Sequence, residues 1–361
     1  MLNKIIKFFF IFFIYLIIFS PKEASANILY ESNSSIITSY VEGAVFFKRD
    51  SFEDNFFTSG VANIFAGKLI SDNLYAKFYI AANYLSSRKN DASYNALDAL
   101  YVGVDSEYGN FYIGNTPTVY YNGFPSGWLD YKVINSHQDA TDPDYYGNFF
   151  TTKSASKSIF YSYKFSNFKF ALQGSAKDSD LVELDNKEVN LDRDYGLGIG
   201  LGYAYGPIQI GGSYINAKFT DKSQLNDDFI LSVASIGAKI DIFGWYSAVG
   251  IFYDKNRWDI GNEAYSFQYL IKYNGYQIFN KRIVPQIVYS YKYYTIISNE
   301  NIANAIPNND VYASLTYFLN NYFEVFVEGK LDMRNSSQIH QLNNDKYLRH
   351  NRIGIGVKAN F

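Results

Sequence analysis

Hydrophobic and polar residues alternate with a period of two along most of the chain after residue 35. In YFEVFVEGKL (322–331), the apolar residues include Phe323, Val325 and Val327, while glutamate and lysine occupy the other parity. The last ten residues, RIGIGVKANF, alternate in the same way. Successive side chains of a β-strand point to opposite faces, so this pattern predicts strands with one apolar and one polar face.

Alternation, together with turn signals rich in Asn, Asp, Ser and Gly, predicts sixteen strands. They are 36–48, 60–71, 74–85, 96–105, 111–116, 157–165, 168–176, 194–205, 207–219, 229–241, 245–255, 264–273, 282–296, 309–319, 322–333 and 349–361. The segment 27–35 before them is expected to be a short polar lead-in. Short turns follow the even-numbered strands and longer polar segments follow the odd-numbered ones. An even strand number with this division of loops is typical of outer-membrane barrels, whose long loops face outward.

The polar faces of these strands are those of a membrane barrel and not of a soluble one. In DYGLGIGLGYAY (194–205), Leu197, Ile199 and Leu201 oppose glycines, which suit a wet lumen or a wall against which a loop folds closely. Elsewhere the polar faces carry isolated charges that a dry core does not tolerate. In lipid, strands must close into a ring to pair every backbone group. We therefore predict an all-β transmembrane antiparallel barrel.

The first 26 residues predict a cleaved signal peptide. Two lysines precede the apolar run 8–19, which is followed by a proline and the small residues Ala-Ser-Ala. That order is typical of secretory leaders, with cleavage between Ala26 and Asn27. A membrane-spanning helix needs about 20 residues, so the apolar run is too short for one. The chain is thereby divided into a leader, 1–26, and a barrel domain, 27–361.

Charge and cysteine content narrow the function classes. The leader holds three of the 32 basic and one of the 35 acidic residues, which leaves 29 basic against 34 acidic residues. A mildly acidic chain argues against a nucleic-acid partner. The chain has no cysteine, so no disulfide contributes to its stability. Tyrosine and phenylalanine are abundant, and at the strand ends Tyr317, Phe318, Tyr322 and Phe323 are expected at the membrane–water boundary.

Enzyme and metal motifs are missing from the sequence. His137, His340 and His350 show no metal-ligand spacing, and neither a nucleophile elbow nor a P-loop occurs. The run DATDPD (139–144) offers oxygen ligands for Ca²⁺ but lacks EF-hand spacing, which favours a solvated acidic loop. We expect a protein without enzyme activity or cofactor.

About forty residues between Asn115 and Lys157 show no strand pattern, and connections that long are usually functional. Around this connection the chain resembles the Gram-negative general diffusion porins. The resemblance is carried by ALYVGVDSEYGNFYIGN (99–115), PTVYYNGFPSG (117–127) and KSIFYSYKFSNFKFALQG (157–174), and by the terminal phenylalanine. It implies a sixteen-stranded trimeric barrel, surrounded by outer-membrane lipid and lipopolysaccharide, whose third outer loop folds into the lumen.

The resemblance also implies how the barrel is assembled. In the family, the outer-membrane assembly machinery reads the last strand through its alternating apolar residues and its terminal aromatic residue. The corresponding residues of this chain are Ile355, Val357, Ala359 and Phe361. The chain is therefore expected to depend on that machinery during biogenesis.

The same resemblance implies which charged residues line the pore. The constriction loop carries acidic residues at Asp130, Asp139, Asp142 and Asp144. On the opposing wall, Asn63 and Asn115 stand where the family has arginine. The remaining candidates for a cationic wall or lumen are Lys77, Lys153, Lys157 and Lys164. Because carboxylate rings favour cations, we expect passive diffusion of small hydrophilic solutes and ions with a weak cation preference.

Two other functions stay open at this stage. The loop aromatics Tyr120, Tyr121, Phe124, Trp128 and Tyr131 suit a stacking track in a channel selective for sugars or similar solutes. The same rings equally suit packing of the loop against the wall. The long outer loops would also serve a surface adhesin or antigen, although an inward-folded loop has no purpose there.

Overall fold

The computed structural model is all-β. It describes residues 27–32, 34–50, 54–87, 93–120, 124, 129, 154–184, 187–222, 227–256, 263–278, 281–298, 301–333 and 351–360. No helix within these ranges is long and apolar enough to cross a membrane. All neighbouring strands pair antiparallel within a single sheet.

The sheet contains nineteen strands among the described residues. They are β1 (Asn27–Glu31), β2 (Ser35–Asp50), β3 (Asp54–Ser71), β4 (Leu74–Ser87), β5 (Ser93–Ser106), β6 (Gly109–Pro117), β7 (Ser154–Phe165), β8 (Phe168–Ser175), β9 (Asp178–Leu184), β10 (Lys187–Tyr205), β11 (Ile208–Asp221), β12 (Asp227–Ile242), β13 (Trp245–Lys255), β14 (Glu263–Tyr273), β15 (Tyr276–Ile278), β16 (Lys281–Ser298), β17 (Asn301–Phe318), β18 (Phe323–Asp332) and β19 (Arg352–Asn360).

The sheet closes on itself because β19 pairs with β2 as well as with β18. Three strands continue another strand instead of adding a position to the ring. β8 and β9 pair with successive parts of β10, β14 and β15 with successive parts of β16, and β19 and β1 with successive parts of β2. Sixteen strand positions therefore surround the barrel, and the predicted antiparallel barrel is confirmed.

The two faces of the wall differ as the alternation predicts. On the outer face, Leu197 is 59% and Ile353 58% exposed, and such a surface is stable only in lipid. On the inner face, Gln268 and Lys292 are 0% and 2% exposed, although both are polar. The barrel thus has an apolar exterior and a polar, charged interior over much of its wall.

One prediction about the first residues is wrong. Residues 27–31, assigned to a short polar lead-in outside the sixteen predicted strands, form β1, which pairs with β2 from Ser39 to Ile36. β19 pairs with β2 only as far as Glu42, so the edge of β2 beyond that point is open. A strand edge with unpaired backbone groups favours addition of another strand, and β1 fills that position.

Several strands also extend further toward the rim with the long loops than predicted. β3 begins at Asp54, β10 at Lys187 and β17 at Asn301. These extensions contain a few apolar residues but no sustained alternation, so the pattern does not reveal them. Their backbone groups nevertheless pair as in the rest of the sheet.

The side chains of Tyr322 and Phe323, two of the four rings expected at the membrane–water boundary, are both buried. They lie at a tight turn in which their backbone N–H groups donate to the side-chain oxygen of Asn320. These two hydrogen bonds fix the backbone of Tyr322 and Phe323, and with it the positions from which their rings extend.

Candidate functional site: the pore constriction

The long connection after β6 turns inward at its first residues. Thr116, Thr118, Val119 and Tyr120 have no exposed surface. The Thr116 hydroxyl lies 2.7 Å from the Ser158 hydroxyl of β7. The backbone N–H of Val119 donates to the Gln173 side-chain oxygen of β8 at 3.2 Å. These bonds direct the chain along the inside of the wall instead of away from the rim.

A band of glycines on the inner face receives this loop. Gly202 of β10 lies directly opposite Gly211, which lies opposite Gly237, which lies opposite Gly250 of β13. Together with Gly198 and Gly200 they form what we call the glycine groove: Gly198, Gly200, Gly202, Gly211, Gly237 and Gly250. Without side chains, the groove lets another segment approach the backbone closely.

Loop side chains occupy both ends of the glycine groove. A Cβ atom at Gly198 would lie 2.6 Å from Val119, and one at Gly200 would lie 2.6 Å from the Phe124 ring. At the other end, a Cβ atom at Gly250 would lie 2.6 Å from Leu129. The loop therefore crosses the inner wall from β10 to β13, which confirms the predicted fold of the loop into the lumen.

Of the five loop aromatics, the structure describes two. Tyr120 packs edge-on against Phe252 of β13 with ring centroids 6.3 Å apart, and Phe124 is fully buried over the groove. Both rings hold the loop against the wall and present no face to the lumen. The other three aromatic residues, Tyr121, Trp128 and Tyr131, lie outside the described residues. So do Lys153 and the four acidic loop residues, Asp130, Asp139, Asp142 and Asp144.

Replacement of Gly200 by valine is expected to displace the loop. The new side chain would overlap the Phe124 ring, and overpacking of this kind costs about 1–3 kcal/mol. We expect faster protease cleavage within residues 121–150 and noisier open-channel current. Gly174→Val is the matched control, because a Cβ atom there meets nothing within 4 Å. Equal cleavage rates in the two variants would contradict the proposed contact.

The inner wall beneath the loop is partly apolar. On β11 and β12, inward residues form one buried cluster with the loop residues Val119, Phe124 and Leu129. The members of this cluster on β11 and β12 are Ile215, Ala217, Phe219, Phe229, Leu231 and Val233. Of the two alternatives that the glycine face left open, a wet lumen or a wall against which a loop folds closely, the structure shows the second in this sector.

A buried arginine fixes the strands to which the loop returns. Arg193 of β10 is 0% exposed and donates to the Ser156 carbonyl oxygen at 2.8 Å and to the Ala176 carbonyl oxygen at 2.9 Å. Its guanidinium lies 3.9 Å from Asp178, which pairs with Lys157 at 2.6 Å. Lys157 is thus held at the long-loop end of β7. Arg193 was not identified from the sequence, because its segment was assigned to a loop.

The wall of β4 to β7 carries a stack of aromatic rings in its inner face. Ring centroids are 5.3 Å apart for Tyr79–Tyr101, 5.0 Å for Tyr101–Tyr112 and 5.7 Å for Tyr112–Phe160. Asn63 of β3 lies opposite Ala81 of β4, and Asn115 lies at an irregularity of β6. Tyrosines therefore stand in the sector where the family resemblance implies arginines.

Lys77 lies next to this stack. Its ammonium donates to Asp105 at 2.9 Å and to the Tyr112 hydroxyl at 2.5 Å, and that hydroxyl donates to the other Asp105 oxygen at 2.9 Å. Further lysines of the lumen are paired similarly, Lys330 with Asp310 at 2.9 Å and Lys358 with Glu324 at 3.2 Å. The charge of these lysines is balanced by a neighbouring carboxylate.

Among the described residues, no group of three or more His, Cys, Asp or Glu side chains is arranged to hold a metal ion. The site consists of a constricting loop, a glycine groove, an aromatic wall and lumen charges. Such an arrangement limits the cross-section of an aqueous passage and shapes its electrostatic field.

Comparison with known proteins agrees with this geometry. The family model for Gram-negative porins matches residues 65–336. Comparison with curated proteins finds no match. The fold is similar to that of Salmonella typhi OmpF, solved in complex with daunomycin, with a TM-score of 0.73 at 16% identity, covering 92% of this chain and 99% of that chain.

Two further structures are similar at lower scores. The trimer form of OmpT, an outer-membrane protein of Vibrio cholerae, has a TM-score of 0.57 at 12% identity over 91% of this chain and 100% of that one. A variant of the Rh. blastica porin has a TM-score of 0.55 at 11% identity over 90% of this chain and 100% of its own. At such identities the likeness concerns the fold.

Proposed function

Because the chain belongs to the Gram-negative porin family, we propose that it forms a water-filled outer-membrane channel for passive diffusion of small hydrophilic solutes and ions. The observation that carries this proposal is the loop packed in the glycine groove inside a closed sixteen-position barrel. Solutes cross down their own gradients, and the loop limits the cross-section. The mechanism requires no cofactor, energy source or enzymatic step.

The channel prefers cations weakly. The preference arises at the constriction, where the loop supplies Asp130, Asp139, Asp142 and Asp144, and carboxylates favour cations in a narrow aqueous passage. The facing sector contains tyrosines and the balanced pair Lys77–Asp105 instead of a row of arginines. The positive side of the field is therefore weak.

Export and assembly follow the family. The leader 1–26 is removed between Ala26 and Asn27, and the barrel 27–361 inserts through the assembly machinery with its long loops toward the outside. The barrel associates as a homotrimer within lipid and lipopolysaccharide, and the trimer form of the similar Vibrio cholerae OmpT supports that state.

Reversal potential tests the channel and its selectivity together. In a planar bilayer under a KCl gradient, we expect stepwise currents that reverse on the cation side. Replacing the four loop aspartates by asparagine should shift the reversal potential toward zero, because the loop then carries less negative charge. A lack of current steps would contradict the channel, whereas steps whose reversal potential is unchanged by the replacement would contradict only the role of the loop.

A solute-selective channel is less well supported by the loop aromatics, since Tyr120 and Phe124 are buried against the wall. The observation that favours this second candidate function is the stack of tyrosine rings on β4 to β6, which offers aromatic faces to a sugar. Uptake of a sugar by a channel that conducts no ions would favour it over general diffusion.

A further inference from the structure

The strand to which the constriction loop returns contains a β-bulge. The register of β6 and β7 shifts between Gly114 and Thr116. At this shift, one residue of β6 lies opposite two residues of β7, Ser156 and Lys157. A bulge of this kind bends its strand and changes the direction of the chain beyond it. The bulge therefore lies where the loop leaves the wall on β6 and returns to it on β7.

Lys157 has a backbone conformation that lysine rarely adopts. Its φ is +44°, in the left-handed region that a Cβ atom disfavours. Its carbonyl oxygen accepts a hydrogen bond from the Ala176 N–H at 2.9 Å, and its ammonium group pairs with Asp178 at 2.6 Å. A conformation of this kind persists only where the surrounding contacts determine it, and such conformations cluster at functional sites.

Arg193 of β10 holds the bulge from the other side of β8. Its Nη2 atom donates to the carbonyl oxygens of Ser156 and Ala176 at 2.8 and 2.9 Å, and its Nε atom donates to Ala176 at 3.1 Å. The guanidinium thus joins the bulged segment of β7 to the end of β8, with its donors fixed in a planar fork. We call this group the bulge clamp: Ser156, Lys157, Ala176, Asp178 and Arg193.

The departing end of the loop is tied to the same place. The Ser158 hydroxyl lies 2.7 Å from the Thr116 hydroxyl and 2.5 Å from the Ala155 carbonyl oxygen. Ala155 has no exposed surface and belongs to the same buried cluster as Val119 and Tyr120. The direction of β7 at the bulge therefore determines where both ends of the loop lie on the wall.

We propose that Arg193 is a positioning residue of the constriction. Through the bulge clamp it sets the direction in which the loop leaves and rejoins the wall, and this direction determines how far the loop narrows the pore. Arg193 is 0% exposed, so a solute in the pore does not contact it. The inference rests on the proposed channel function and goes beyond it, because it assigns control of the pore width to contacts outside the aqueous passage.

Replacement of Arg193 by methionine tests the clamp, because methionine fills similar space but donates no hydrogen bond. In planar bilayers, we expect the single-channel conductance of Arg193→Met to spread over a severalfold wider range than that of the unmodified protein. Arg193→Lys retains the charge and a donor and should restore part of the narrow distribution. Lys222→Met is the matched control, because it removes an ion pair of 2.6 Å with Asp192, next to the clamp but outside it.

Two replacements of Lys157 separate its backbone conformation from its ion pair. Lys157→Gly and Lys157→Ala both remove the ammonium group, but only glycine adopts a positive φ without strain. Lys157→Gly should therefore keep a narrow conductance distribution, whereas Lys157→Ala should broaden it. Equal distributions in these two variants would overturn the inference, because the bulge would then not position the loop.

The resistance of each barrel to unfolding on unheated gels separates positioning from stability. If Arg193→Met lowers this resistance but leaves the conductance distribution unchanged, Arg193 contributes stability alone, and the inference is overturned while the channel stays intact. If Arg193→Met forms no barrel, the two Lys157 variants decide the inference. Lack of any ion current in the unmodified protein overturns the channel function and this inference with it.

Discussion

Deletion of residues 126–145 is expected to raise the single-channel conductance severalfold while the barrel still forms. The deleted segment includes Leu129, which packs on Gly250, and follows Phe124, which packs on Gly200. Removal leaves the start of the loop bonded to Ser158 and Gln173 but takes away Leu129 and the rest of the segment that we propose narrows the pore. Conductance through a water-filled pore rises with its narrowest cross-section, so the change should be large.

The matched control is a deletion of similar size in another long connection. Residues 334–348 connect β18 to β19 and are suitable because β18 ends at the same rim of the barrel as β6. Their deletion should leave the conductance near that of the unmodified protein. Unchanged conductance after removal of 126–145 would exclude this loop as the constriction.

Removal of Phe361 is expected to lower the amount of barrel in the outer membrane strongly, with little effect on refolding in detergent. β19 pairs with β18 and β2 from Arg352 to Asn360, so the loss of one terminal residue removes few backbone bonds. The effect should therefore arise during recognition by the assembly machinery and not from lower stability of the folded barrel.

Phe361→Tyr is the control for this deletion, because it retains a terminal aromatic ring. Outer-membrane levels should be measured by fractionation, and folding by the resistance of the barrel to unfolding on unheated gels. Normal outer-membrane levels of the shortened chain would contradict the assembly signal. A shortened chain that fails to refold in detergent would show that the residue acts through stability instead.

The strands were predictable from the sequence because lipid imposes a period of two on every segment that crosses it. Strand residues that extend beyond the lipid toward the long-loop rim are not subject to this period of two. The extensions of β3, β10 and β17 contain apolar residues but no sustained alternation, so they were assigned to loops. β1 was missed for a related reason, since its position depends on the length of β2 that β19 leaves unpaired.

The constriction was only partly predictable. The glycines of β10 indicated a surface for close approach, but their continuation into Gly211, Gly237 and Gly250 depends on strand register. Register also decides which lysines meet a carboxylate, as Lys77 does, and which meet a ring, as Lys272 does. Single-strand patterns contain no such information about neighbours.

The end-to-end arrangement of β19 and β1 has a consequence for topology. Asn360 lies opposite Glu42 and Asn27 lies opposite Ser39, so only two residues of β2 separate the ends of these strands. Once the leader is removed as proposed, one continuous strand position is built from both ends of the mature chain. The wall is a circle without a defined beginning, and joining these ends while cutting the chain at a long loop would give a circular permutant with the same strand neighbours throughout.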